Sequence, residues 1–162
     1  LRRFAQADRL LPGEPLWEMM RMIGEDLLTY VRSLRKRLDF IARHAETWDL
    51  GHNGDIYRVL FLPRTDPLPD EPSAGLERFI ESRGLGREVI GMIAPDRRSG
   101  GYGLSRYRDD ARLDFTRIAA CPDVHFAHAR GFVAKTSATA PARLRALMTE
   151  ALVTPAKAAS GV

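Results

Sequence analysis

Cysteine is almost missing from this chain: Cys121 is the single one in 162 residues, which excludes an internal disulfide and a zinc site built on paired thiolates. A reducing, cytoplasmic setting is the matching expectation, with Cys121 inert. Long apolar runs are missing as well. No stretch approaches the roughly 18 apolar residues that a membrane span needs, and no basic region followed by an apolar run opens the chain. No Gly-x-Ser-x-Gly elbow is present, and Cys121 is followed at once by Pro122, so nucleophilic hydrolysis has little support. The glycine-rich run Gly100-Gly101-Tyr102-Gly103 lacks both the Walker lysine and the dinucleotide spacing, and reads as a turn. There is no internal repeat and no low-complexity segment.

What is present suits one well-buried core: 44% of the residues are hydrophobic and 28% charged. The net charge of +4 is unevenly spread. Residues 97–145 hold 10 Lys/Arg against 4 Asp/Glu, and the rest of the chain holds 15 against 17. A basic region of this kind favours an acidic partner such as a phosphate, a nucleotide or a nucleic acid strand, whereas arginines paired with nearby acids on solvated faces would give the same count.

Leu16, Met20, Ile23, Leu27, Val31, Leu34, Leu38 and Ile41 recur every three or four residues, which predicts a long amphipathic helix from Pro15 to about Ala45 whose stripe packs on the core. The same stripe also suits a connector helix lying against another domain or a dimer partner. Asn53-Gly54 between two apolar segments predicts a hairpin, and the prolines from Pro63 to Pro72 an extended loop. Ser73 is expected to cap a short helix carrying Leu76, Phe79 and Ile80, ended by Gly84. Val89–Ala94 reads as a buried strand turning into Tyr102–Arg108, where the two-residue period places Arg106 and Arg108 on one face. Asp114 caps a further short helix. Val124–Ala127 and Phe132–Ala134 are strand-like around Ala129-Arg130-Gly131, and Thr139 is expected to cap a last helix with Pro141 early and Leu144, Leu147, Met148, Ala151 and Leu152 as its apolar side. The fold class expected is α+β, a mainly antiparallel or mixed sheet of about five or six strands covered by helices, with a long N-terminal helix. Residues 14–153 form the single domain, and 154–162 a disordered tail. The start at Leu1 leads to the expectation that residues 1–13 continue from a preceding domain.

The densest chemistry lies between His125 and Thr139. His128 immediately precedes a glycine turn where backbone can approach a ligand, Gly131 supplies the turn, and Arg130 and Lys135 offer donors for phosphate. Arg106 and Arg108 offer more. Thr136, Ser137 and Thr139 stand between a strand and a helix start, suited to capping and to anions alike. His125 and His128 fall on opposite faces of a strand and do not readily chelate one metal. Asp109-Asp110 is either a metal-binding carboxylate pair or a solvated loop.

The run Val124-His125-Phe126-Ala127-His128-Ala129-Arg130-Gly131-Phe132-Val133, followed by Thr136 and an alanine-rich helix, resembles the His-Ala-x-Gly-Phe segment of the melanocyte-proliferating-gene type of DHH-superfamily phosphoesterases. Met22–Leu28 is similar to that family's Val-Gly-Glu-x-Phe-Leu helix, and Val89–Arg108 to its hairpin. The resemblance implies a two-domain parent: an N-terminal catalytic domain whose Asp, Asp-His-His and Asp ligands hold two manganese ions, and a C-terminal domain that clamps a phosphate-bearing substrate. It implies metal-dependent phosphoester hydrolysis, in one branch 3′–5′ exonuclease action on RNA. His128, Arg130 and Gly131 match the motif; Lys135 rests on charge alone. This chain has no Asp-His-His and lacks the glycine triplet that precedes the histidine in more distant relatives.

The function expected is therefore the substrate-binding half of such an enzyme, gripping a phosphate-bearing substrate or single-stranded nucleic acid through His128, Arg130, Gly131, Lys135, Arg106 and Arg108. Manganese belongs to the missing N-terminal domain, and a homodimer is compatible. Two other classes stay open: a noncatalytic nucleotide or nucleic-acid-binding module, and a structural dimerisation domain built on the long helix.

Overall fold

In the computed structural model residues 11–154 are described; the expectations for residues 1–10 and 155–162 lie outside them. The elements run α1 (Pro15–His44), β1 (Glu46–His52), β2 (Asp55–Phe61), α2 (Leu76–Ser82), β3 (Val89–Pro95), β4 (Tyr102–Arg106), a 3₁₀ turn (Phe115–Ile118), β5 (Val124–Ala127), β6 (Val133–Thr136) and α3 (Pro141–Glu150). Six strands form one mixed sheet in the order β1-β2-β3-β4-β6-β5, which makes this an α+β fold. Only β2 and β3 pair in parallel, joined by the crossover through α2; the remaining neighbours are antiparallel.

The β1–β2 hairpin follows from Asn53 and Gly54, both at positive φ (50° and 82°), the combination that the tight turn demands. Each face of the sheet has its own core. Trp48, Leu50, Val59, Phe61, Ile93, Leu104 and Ala134 pack with α3 and the 3₁₀ turn through Phe115, Ile118, Leu144, Leu147 and Met148. Leu60, Leu62, Met92 and Ala94 pack on the other side with α2 and with Ile41 of α1. Strand β3 is buried along its whole length because both faces are covered.

Four expectations need correction. The stripe of α1 does not pack on the core along its length: Ile41 is its one buried residue, while Met20, Ile23, Leu27 and Val31 are each at least half exposed. Only the last turns reach the domain, where Arg37 donates to the carbonyls of Ala74 and Pro72. Second, α2 is capped by Gly75 and not by Ser73, since the chain between Ser73 and Gly75 is still turning. Third, the cap of α3 is Ala140, with no side-chain hydrogen bond, because Pro141 fixes the first helical position two residues beyond Thr139. Fourth, β4 ends at Arg106. Arg108 and Asp109 follow in the left-handed region (φ 49° and 52°), so the two-residue period stops before Arg108.

Candidate functional site

The order β4-β6-β5 carries the chain from the end of β4 through the 3₁₀ turn to the edge strand β5, and back into the sheet along β6. This route brings Ser105 opposite Val133 and places the turn between β5 and β6 beside Arg106. The turn is closed by two bonds, Gly131 N–H to the His128 carbonyl (2.8 Å) and His128 N–H to the Val133 carbonyl (2.9 Å). Gly131 stands at φ 78°, and a Cβ on it would lie 2.3 Å from Oδ1 of Asp114. Only glycine fits there. The Asp114 carboxylate also accepts from the backbone N–H and the hydroxyl of Thr116, at 3.0 and 2.6 Å. The Thr116 hydroxyl, foremost, holds Asp114 below the usual carboxylate range.

Beside this turn opens a cleft of about 490 Å³ lined by Ser105, Arg106, Asp109, Arg130, Phe132 and Val133. Its two cations differ in kind. Arg106 is fixed: Nε donates to the Leu113 carbonyl at 2.6 Å and Nη1 to Asp109 Oδ1 at 2.8 Å, with 13% of the side chain exposed. Arg130 is exposed, and its guanidinium makes no hydrogen bond among the described residues. A planar fork held in advance next to a free one suits an anion with several oxygens. Asp109 stands at the rim with 78% of its side chain exposed and occupies one donor of Arg106.

His128 is oriented by its own turn. Its Nδ1 accepts the Arg130 backbone N–H at 3.1 Å, which leaves the proton of the neutral ring on Nε2, and the ring lies 4.0 Å from that of Phe132. Phe132, 37% exposed, gives the cleft an aromatic wall.

The remaining predicted residues disperse. Lys135 projects from the same side of β6 as Val133 but into a neighbouring cleft of about 330 Å³, which shares Ser105 and Val133 with the first; there its Nζ lies 3.3 Å from Asp96 Oδ1. Arg108 turns away to Glu81 (3.4 Å) and lies over the Tyr107 ring, so it does not join Arg106. Thr136 is fully buried and donates to the Asp123 carbonyl; the Ser137 hydroxyl donates to the same oxygen. His125 is exposed on the edge strand. Asp109 and Asp110 do not converge, one pairing with Arg106 and the other with Arg112. Ser105 and Phe132 were not singled out from the sequence, although Phe132 lies inside the motif and Ser105 is next to Arg106.

Among the described residues no group of three or more His, Cys, Asp or Glu side chains is gathered to hold a metal ion, and no helix is long and apolar enough to cross a membrane. Compared with models of protein families, with curated proteins and with solved structures, the chain matches none.

Proposed function

We propose that this chain is the substrate-holding domain of a metal-dependent phosphoesterase of the DHH type, and that its cleft binds the phosphate of a nucleotide or a single-stranded nucleic acid. The observation that carries this reading is the meeting of Arg106, at the end of β4, and Arg130, in the turn between β5 and β6, in one cleft that also has a hydroxyl and an aromatic wall. Arg106 supplies donors whose position is already fixed, so little side-chain entropy is lost on binding. Arg130 closes on the ligand from the exposed side. Ser105 adds a neutral donor, and Phe132 offers a face on which a base can stack; His128 does not line the cleft and backs that wall with its ring 4.0 Å from that of Phe132.

Asp109 competes with the anion for Arg106, and its exposed carboxylate swings away when phosphate takes that place. The residues described here do not fit a manganese ion, since no cluster of ligands is available. No step through such an ion is assigned to them, and the hydrolytic step belongs to another domain.

Binding of a 5′-phosphorylated single-stranded RNA oligonucleotide, followed by fluorescence anisotropy over a salt series, tests this. Affinity should fall as salt rises, with a slope of about −0.7 for each phosphate neutralised. Arg130→Ala should weaken binding and flatten that slope by about one contact, whereas Asp109→Asn should tighten binding. Binding that is salt-independent, or that ignores both substitutions, would sink the proposal.

A further inference from the structure

The exposed face of α1 carries a pattern that goes beyond the cleft. Leu16, Met20, Ile23, Leu27, Tyr30 and Leu34 alternate spacings of four and three, the 3.5-residue repeat of a coiled-coil seam and not the looser stripe of a core-packing helix. Over this stretch of about 27 Å the seam is left uncovered by the described residues. Met20, Ile23, Leu27 and Tyr30 are 51%, 53%, 59% and 59% exposed, and Met19 and Val31 flank them half exposed. Arg21 pairs with Glu18 and Glu25 on the outward side, at 2.9 and 2.7 Å, and leaves the seam clear.

Three features select the occupant. The pattern is complementary to its own reverse: about a centre at Glu25, Leu16 reflects onto Leu34, Met20 onto Tyr30 and Ile23 onto Leu27. Charge is divided the same way. Within residues 15–35, the stretch that overlaps about that centre, Glu18, Glu25 and Asp26 outnumber Arg21 up to Asp26, while Arg32 and Arg35 are the charged residues beyond it. A second copy running the opposite way brings acidic half to basic half, and a parallel one sets like against like. Finally, the domain sits on the seam side of the helix, because Ile41 continues the seam and is buried in the core with Leu38 packed beside it. Two parallel copies would have to place both domains in the same space; antiparallel copies keep them at opposite ends.

We propose that two copies of this chain associate through α1 as an antiparallel pair about a two-fold axis at Glu25. Covering the seam and its flanks removes on the order of 600 Å² from each copy, at the lower limit of specific interfaces, the size of a weak, concentration-dependent dimer. Asp26, beside the seam next to Leu27, faces the second copy's Asp26 across the axis and opposes association.

Sedimentation equilibrium of the 162-residue chain from about 1 to 200 µM is expected to give a monomer–dimer equilibrium. Leu27→Glu should weaken it at least tenfold with the sheet still folded, as judged by tryptophan fluorescence, and Asp26→Asn should tighten it several-fold. In a Cys121→Ser background, a short bis-maleimide should join chains carrying Met20→Cys to chains carrying Tyr30→Cys, and neither kind to itself. A chain that stays monomeric throughout, a dimer indifferent to both Leu27→Glu and Asp26→Asn, or Tyr30→Cys chains that link to one another would overturn the proposal.

Discussion

Gly131 shows how little freedom the site has at the level of a single residue. A methyl group there meets two obstacles at once, a left-handed backbone (φ 78°) and the Asp114 carboxylate at 2.3 Å. Gly131→Ala is therefore expected to cost about 1–3 kcal/mol, read from chemical denaturation, and to disturb the Asp114–Thr116 cap with it. Gly100→Ala is the matched control: it shares the left-handed backbone (φ 71°) while its Cβ would meet nothing within 4 Å, so it should carry only the backbone cost of about 1 kcal/mol. A loss of equal size at both positions would show that the contact with Asp114 is not the cause. The sequence exposed this glycine as a turn residue, but not Asp114 behind it, which is 17 positions away in the chain.

At the scale of elements, the fold was legible wherever the signal was local. Asn53-Gly54 placed the first hairpin, Pro141 the start of α3 and Asp114 the 3₁₀ turn, since each acts on backbone within a few residues of itself. Ser73 and Thr139 misled because a capping side chain is useful only at the one residue where the backbone enters the helix, and composition does not locate that residue to within a position or two. The periodicity of α1 revealed a helix and its apolar face but not what covers that face. The pairing of β4 with β6 was less visible still: Arg106 and Arg130 become neighbours through a strand contact that skips β5, and local pattern carries no record of it. Ala140 is a vacant cap with suitable backbone angles (φ −72°, ψ 129°). Ala140→Ser should thus stabilise the protein by about 0.5–1 kcal/mol, seen as a raised thermal midpoint; no rise would mean that the first N–H groups of α3 are already satisfied.

For the molecule as a whole, acid acts against the fold through its carboxylates. The Ser99 hydroxyl, and after it Lys135, holds Asp96 below the ordinary carboxylate range, and Thr116 does the same for Asp114. Burial works against Asp110, yet its bonds from Arg112 outweigh that and leave it lowered too. Depressed folded values mean that these carboxylates bind protons more readily once the chain unfolds. Their contribution is complete above the unfolded value of about 3.9 and is lost as pH falls through the folded values. The thermal midpoint should be nearly level from about pH 8 to 5 and drop below about pH 4, with a shallower drop in Asp114→Asn. A midpoint that already falls between pH 7 and 5 would show that these carboxylates do not control it. One consequence of the β4–β6 seam reaches across the molecule. Because Arg106 and Arg130 stand side by side only while that ladder is closed, an unfolded chain has no cleft to offer, and any ligand held there works as a clamp on the sheet. At a hundred times its dissociation constant it would add about 2.7 kcal/mol to the folded state, protecting from solvent exchange backbone amides of β4 and β6 that it never touches.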